Sequence, residues 1–384
     1  MLIDAGMVQM VKGPATVHVI GGRCRVLGMD LPLGHTVQVR AGKALPFEPD
    51  NNYYYNSCCN LDVQGGESWT ADPRVAGTSM WEKIAGAILS PLPPLLPLSH
   101  HTVPVPTMVV MVVGATDTGK STFSTYLANL ALGRSIETCV IDGDIGQGDL
   151  APPAALAAAV LKEQIVDLRD ARASLFEFVG AITPAYVEKL VAQKLNSLVC
   201  RRTNGAIAAR LKIVNTDGYM EPSYKRMLAG AVSPDVIVYL GQDDRNNDLA
   251  SELSGRWKLV VAQPSAQALK THSDRVGRRM EQYARYVGTR LVFKRRNVGA
   301  TRFLYRNRPI QWEYLHKLRP EGMFVALGSR RRISGFGVIE FMDERQVSIR
   351  TDMEDFTTIH ASEVRLRGNC HEERISISAD SFII

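Results

Sequence analysis

The sequence predicts an α/β protein: a central, mostly parallel sheet flanked by small N-terminal and C-terminal β-rich domains. Three observations carry that reading. An uninterrupted apolar run, Met108-Val-Val-Met-Val-Val113, leads through a glycine-containing turn into a helical pattern. Further short apolar strands then alternate with helical stretches, each strand ending in a polar, glycine-bearing cluster, as parallel sheets with crossovers require. At both ends of the chain the pattern changes to short alternating segments separated by turn residues.

Residues 1 to about 72 contain such segments at Thr16–Ile20, Cys24–Leu27 and Thr36–Arg40, separated by Gly-Gly, Leu-Pro-Leu-Gly and Ala-Gly-Lys turns. The cluster Tyr53-Tyr-Tyr55 fits edge-strand packing better than base stacking. From Thr78 to Leu89, Trp81, Ile84, Ala85, Ile88 and Leu89 recur at helical spacing. The N-terminal domain with this helix is expected to span 1–90. Residues 91–107, rich in proline, read as an extended connector.

At the end of the central apolar run, Gly114-Ala115-Thr116-Asp117-Thr118-Gly119-Lys120-Ser121-Thr122 fits G-x-x-x-x-G-K-[ST] without mismatch. Six β-branched or long apolar residues make an inner strand buried on both faces. Phe123, Leu127, Leu130 and Ala131 recur at helical spacing behind the motif, and Gly133 is a plausible stop. Strand, glycine loop and helix together form a phosphate-binding loop, where backbone N–H groups and a positive helix N-terminus face an anion. Lys120 would reach the β- and γ-phosphates, Ser121 would ligate Mg²⁺ and Thr122 would sit near the α-phosphate. The protein is therefore expected to bind a nucleoside triphosphate, with Gly114 to Thr122 as its cradle.

A second strand, Thr138–Ile141, runs into Asp142-Gly-Asp144-Ile-Gly146-Gln147-Gly148, an acidic cluster beginning 22 positions after Lys120. That is where this fold places a Mg²⁺-binding or water-orienting carboxylate. Ala154–Ala159 is alanine-rich and assigns itself to no element. Leu211–Val214 is a third strand, followed by Asn215-Thr216-Asp217-Gly218-Tyr219; Val236–Leu240 and Leu259–Val261 are the fourth and fifth. Ligands of such sheets collect beyond the carboxyl ends of the strands, where these polar clusters lie. The phosphate-loop domain is expected to span 108–305, and the C-terminal domain 306–384, with strands at Gly335–Phe341, Val347–Arg350 and Glu363–Arg367.

At 384 residues the chain is long enough for two or three domains, and its 45% apolar and 22% charged residues are those of a soluble globular protein. Its charge of +6 is unevenly spread. Between Lys270 and Arg308 there are twelve Lys/Arg against Asp274 and Glu281, a local net of +10 that favours a polyphosphate contact over a merely solvated face. Tyr283, Tyr286 and Phe293, interleaved there, could stack bases or pack. The six cysteines have no zinc-like spacing and read as reduced structural thiols. No signal peptide opens the chain and its apolar runs are broken by prolines, so an intracellular protein without a membrane span is expected.

Among phosphate-loop classes, a guanine-specific GTPase would carry Asn-Lys-x-Asp, which is absent. The MinD-like ATPases carry a second lysine where this chain has Ala115. The loop, Asp142-x-Asp144-x-Gly146-Gln147-Gly148, Phe178-Val-Gly180 with Thr183-Pro184, Thr216-x-Gly218-Tyr219 and the arginines near Arg275 occur in one order. In that order they resemble the RNA 5′-hydroxyl polynucleotide kinase family, the polyribonucleotide kinases of pre-mRNA cleavage factor and tRNA-splicing complexes, and the length is closest to archaeal members.

The resemblance implies transfer of the ATP γ-phosphate to the 5′-OH end of RNA, with Mg²⁺. It implies Lys120 and Asp144 as catalytic residues, with Arg275, Arg278 and Arg279 on a lid helix over the triphosphate. Gln147, Thr216, Gly218 and Tyr219 would hold substrate, Tyr219 replacing the tryptophan usual in the family. Ser121, Asp142 and Asp144 would hold the metal, Asp142 standing where other members have Glu. It also implies protein partners in RNA processing, and a cytoplasmic location for an archaeal chain or a nuclear one for a eukaryotic chain. RNA and DNA acceptors both stay open, as does an ATP-binding scaffold without turnover. A hydrolysing ATPase that acts on no nucleic acid is a third reading.

Overall fold

The computed structural model describes residues 1–50, 58–76, 78–92, 107–201, 209–241, 248–264, 271–288 and 292–377. The Tyr53–Tyr55 cluster, most of the proline-rich connector, Lys270 and Arg290 lie outside them. The chain forms two compact units. One comprises Met1–Ile141, Ala159–Arg172 and Arg202–Asp274, the other Asp142–Ala158, Ala173–Arg201 and Arg275–Ile384.

In the first unit, the N-terminal β region is a seven-stranded sheet around the long strand Val8–Gly22, which pairs antiparallel with Cys59–Ala71, Ala44–Pro49 and Thr36–Val39. Val11, Val17 and Val19 of that strand are buried. The helix Thr78–Leu89 has the bounds its periodicity predicts, and buries Trp81, Ile84, Ala85, Ile88 and Leu89. Trp81 meets Phe123 and Tyr126 edge-on, with ring centroids 5.5 and 6.0 Å away. Asn129 completes the junction: its amide donates to the carbonyls of Leu27 and Ile165 at 2.8 Å and accepts from the Ile165 N–H at 3.0 Å. This shared core lies in the unit that holds both residues 1–90 and the phosphate loop. It also explains why the helix Lys120–Gly133 is buried more widely than an amphipathic stripe would be.

The central sheet has seven strands in the order 175–178, 155–161, 138–143, 211–216, 108–114, 236–240, 259–262. Leu211–Thr216 and Val236–Leu240 flank Met108–Gly114, both parallel to it, and Leu259–Ala262 adds in parallel at the edge. The alanine-rich stretch, unassigned from sequence, is the buried strand Ala155–Leu161. Its pairing with Leu175–Phe178 is antiparallel, so the sheet is mixed at that end.

In the second unit, an eight-stranded and largely antiparallel sheet runs in the order 292–297, 346–351, 333–342, 323–328, 358–367, 302–305, 308–309, with His371–Arg374 beside 358–367. It starts at Val292, ahead of the boundary expected at 306. Phe176, Phe178, Tyr283, Tyr286, Phe324 and Phe336 form one aromatic core, with Phe324 and Phe336 stacked at 5.6 Å. Tyr283 and Tyr286 are therefore packing residues, whereas Phe293 is 66% exposed. Gly180 explains the Phe178-Val-Gly180 motif. At φ 81° its Cβ would sit 2.9 Å from the Ala361 carbonyl, a conformation and an approach that favour glycine. Among the described residues, no helix is long and apolar enough to cross a membrane.

Candidate functional site

The phosphate loop connects the inner strand Met108–Gly114 to the helix Lys120–Gly133. Asp117 and Gly119 have φ of 63° and 91°, the left-handed conformations that turn successive N–H groups to one side and make an anion nest. Gly114 is required because a Cβ there would lie 2.7 Å from the Leu240 carbonyl of the neighbouring strand. The Ala115 carbonyl closes the loop, accepting from Thr118 Oγ1 at 2.9 Å and from Lys120 Nζ at 2.6 Å. Lys120 is buried although cationic, its ammonium held at the loop. Ala115 and Thr116 are exposed at the tip, with Asp117, Thr118, Ser121 and Thr122 half-buried. Ser121 Oγ accepts from Asn215 Nδ2 at 3.3 Å, which ties the loop to the end of the adjacent parallel strand.

The segment Thr216–Tyr219 lies in the same unit. Gly218 approaches the loop so closely that a Cβ would stand 2.8 Å from the Thr116 backbone nitrogen. Thr216 uses its hydroxyl inwardly, donating to the Val112 carbonyl at 2.8 Å, so it braces the strand end. Tyr219 is half-buried, its ring 5.5 Å from that of Tyr224. Asp217 organises the turn. Its carboxylate accepts from the Tyr219 N–H at 2.9 Å, the Tyr224 hydroxyl at 2.6 Å and Lys225 Nζ at 2.9 Å. Neither Tyr224 nor Lys225 was among the sequence-derived site residues. A signal existed, since Lys225 falls in the stripe with Leu228, Ala229 and Val232, where a lysine needs a buried acidic partner.

The acidic turn and the arginine helix lie in the other unit. Asp142 is almost fully buried. Its Oδ2 accepts from the N–H groups of Asp149 at 2.6 Å and Leu150 at 3.1 Å, and its Oδ1 from the Asp144 N–H at 3.3 Å. Burial, reinforced by the nearby carboxylates of Asp149 and Asp144, pushes its pKa up to about 6. Asp142 thus shapes the turn with the oxygens that a metal role would require. Asp144 is half-buried, its Oδ1 accepting from the Gly146 and Gln147 N–H groups at 2.9 and 2.8 Å. Both glycines are sterically required: a Cβ on Gly146 would meet the Ile182 carbonyl at 2.8 Å, and one on Gly148 the Asp144 carbonyl at 2.7 Å. Gln147 donates to the Arg275 carbonyl at 3.4 Å, while its buried Oε1 has no hydrogen-bond partner among the described residues, an acceptor suited to a ligand donor.

The helix His272–Val287 carries the three arginines to different places. Arg278 is buried and ion-paired with Asp149. Arg279 donates to Glu372 at 2.6 Å, and Arg275 is half-buried. Gln282 staples the acidic turn to this helix, donating to the carbonyls of Gly148 and Asp149 at 2.9 and 2.8 Å. Asp149 and Gln282 were missed in the sequence because a lone Asp and a lone Gln reveal nothing until their partners are known.

The described residues contain no group of three or more His, Cys, Asp or Glu that could hold a metal. Magnesium is commonly held by one or two protein ligands together with substrate phosphates, and a hydroxyl such as that of Ser121 at the loop is a donor of that kind.

Residues 114–288 match the family described as mRNA cleavage and polyadenylation factor CLP1 P-loop. A polyribonucleotide 5′-hydroxyl-kinase of Pyrococcus abyssi is 33% identical over 185 residues, covering 46% of this chain and 50% of the relative. A CLP1 homolog protein of Nematostella vectensis is 32% identical over 162 residues, covering 39% of this chain and 38% of the relative. The chain spans about half the length of the curated relatives it matches. The solved Clp1p–Pcf11p (454–563) complex contains a chain of the same fold, with a TM-score of 0.69 at 12% identity over 95% of this chain and 97% of that one. The loop, the acidic turn and the arginine helix all lie inside the matched segment, so the likeness to the CLP1 P-loop family rests on residues 114–288 and is a similarity of that segment.

Proposed function

We propose that the protein is an ATP-dependent polynucleotide 5′-hydroxyl kinase acting on RNA. The observation that carries this reading is that the phosphate loop, the acidic turn and the arginine helix all fall within residues 114–288, the segment similar to the CLP1 P-loop family, and relatives similar to about half of this chain are named polyribonucleotide 5′-hydroxyl-kinases. The loop N–H groups and Lys120 bind the triphosphate, and Ser121 supports the magnesium ion that accompanies it. Mg²⁺, when bound, neutralises charge on the β- and γ-phosphates. Asp144 accepts the proton of the 5′-hydroxyl as that oxygen attacks the γ-phosphorus; the bond from phosphorus to the β,γ-bridging oxygen breaks and ADP leaves. Positioning and charge neutralisation supply most of the rate enhancement in such transfers. The helix that carries Arg275, Arg278 and Arg279 supplies positive charge at the transferring group. Gln147 and Tyr219 contact the acceptor nucleotide, Tyr219 through its ring. The Clp1p in the solved structure is bound to Pcf11p, and a protein partner from RNA processing is inferred for this chain too.

The test is incubation with γ-labelled ATP and a short 5′-OH oligoribonucleotide. Label on the RNA supports the kinase. Free phosphate alone would mean an ATPase, and bound ATP without either product a scaffold. Lys120→Ala abolishes transfer, and Asp144→Asn keeps ATP binding while losing turnover. Normal turnover in Asp144→Asn removes that residue from the mechanism.

A further inference from the structure

We propose that the outer face of the sheet edge at Phe293, Arg295 and Phe341 is a stacking platform for the single-stranded body of the acceptor nucleic acid. Val292–Asn297 is the terminal strand of the eight-stranded sheet and pairs only with Gln346–Thr351 among the described strands. In that register Arg295 stands opposite Ser348, and Ser348 stands opposite Phe341 in the next strand. Residues directly opposed across antiparallel strands share a face, and Phe293, two positions from Arg295, shares it as well. Phe293 is 66% exposed and Phe341 46%.

Phe341 is on this face because of an irregularity. The register between Ile333–Met342 and Gln346–Thr351 shifts at Glu340, so that Ile339 opposes Ile349 but Phe341 opposes Ser348. Regular pairing would have placed Phe341 on the same side as Ile339, in the core. A bulge that re-aims a side chain toward solvent costs pairing and an exposed aromatic, and such features collect where a surface is used. Further along the same face, Val338 and Phe336 are buried and Tyr286 covers Phe336 at 5.4 Å. The face is thus closed at one end and open at the other.

The charge at the open end is positive. Glu340 donates no net negative charge to it, since its carboxylate is paired with Arg350 at 2.6 Å. Arg295 has no carboxylate partner among the described residues. Lys294 and Arg296 flank it on the opposite face, Arg296 lying over the Phe356 ring at 4.7 Å and bonding Asp355 at 3.1 Å. From Val292 to Arg308 there are six Lys/Arg and no Asp or Glu. Two exposed aromatic rings and an exposed arginine on one sheet face, Arg295 level with Phe341 across Ser348, match unstacked bases and the phosphate that joins them. A protein-docking face would be expected to be less cationic and more apolar at its centre.

The identity of the strand as acceptor rests on the kinase reading above, while the platform itself is tested without turnover. Binding of a 3′-fluorescein oligouridylate with a 5′-OH end to the full chain is followed by anisotropy in the absence of ATP. Phe293→Ala/Phe341→Ala and, separately, Arg295→Glu are expected to weaken binding roughly tenfold or more, with melting temperatures and KM for ATP unchanged. Phe293→Ala alone, at the more exposed ring, keeps the test valid if the double variant unfolds. KM for a 5′-OH dinucleotide, too short to reach a second site, stays at the wild-type value while KM for the long oligonucleotide rises. Unchanged affinity in all three variants overturns the platform, and so does an equal loss on dinucleotide and long strand. Absence of transfer by the wild type to either substrate would instead sink the kinase reading, leaving the anisotropy result to stand or fall separately.

Discussion

The ammonium of Lys225 lies 2.9 Å from the Asp217 carboxylate with its side chain completely buried, beneath a turn whose next residues are Gly218 and Tyr219. Removing one member of a buried pair leaves an uncompensated charge, at a cost of about 3–5 kcal/mol. Lys225→Met is therefore expected to lower unfolding free energy by that order in urea titration. It should also raise KM for the acceptor, because Asp217 no longer holds the Tyr219 N–H in register. Asp217→Asn/Lys225→Met, which removes both charges, should recover part of the stability; no recovery would show that the pair is not the source of the loss.

Gly218 leaves no room for a side chain beside Thr116. The Cβ of Gly218→Ala would press on backbone atoms of the phosphate loop, which cannot move aside as a flexible side chain could. Overpacking of this kind costs about 1–3 kcal/mol. The expected outcome is a folded protein whose ATP affinity, by isothermal calorimetry, has dropped roughly tenfold or more, since the strain falls on the loop that binds. An unaltered affinity would mean that the segment moves independently of the loop.

The three helix arginines should separate by assay. Arg278→Ala strips the fully buried Asp149 of its cation and is expected to cost about 3–5 kcal/mol in stability. Arg275→Ala, at a half-buried position, should lower the melting temperature less than Arg278→Ala does while lowering kcat. If Arg278→Ala proves as stable as wild type, its ion pair with Asp149 is not maintained in solution.

His360 should make stability pH-dependent. Burial, with the charge of Lys194 nearby, depresses its pKa to about 4, against the ordinary 6.5; its Nε2 lies 3.3 Å from the Ser329 carbonyl. The unfolded chain then binds the proton more readily than the folded one between these two values. Stability from this group is complete above about pH 6.5 and is lost as pH falls toward 4, by up to about 3 kcal/mol. Urea midpoints measured across that window should fall less steeply in His360→Gln, and identical slopes would exclude His360 as their cause.

The nearest-neighbour chemistry of the chain sufficed for much of this molecule. Val236–Leu240 and Thr78–Leu89 have the bounds their patterns predict, because an apolar run between turn residues and an apolar stripe at helical spacing each define one local solution. The phosphate loop was legible for the same reason, since its residues act through adjacent backbone. Ala155–Leu161 was not, because alanine has little strand preference of its own and becomes a strand only when neighbours bury it. Tertiary structure alone decided which charges meet: Asp217 with Lys225, Asp149 with Arg278, Glu372 with Arg279. It also decided that Tyr283 and Tyr286 pack while Phe293 faces water. Such pairings join residues up to 129 positions apart, and the free energy of burying a charge or a ring depends on what the fold sets beside it.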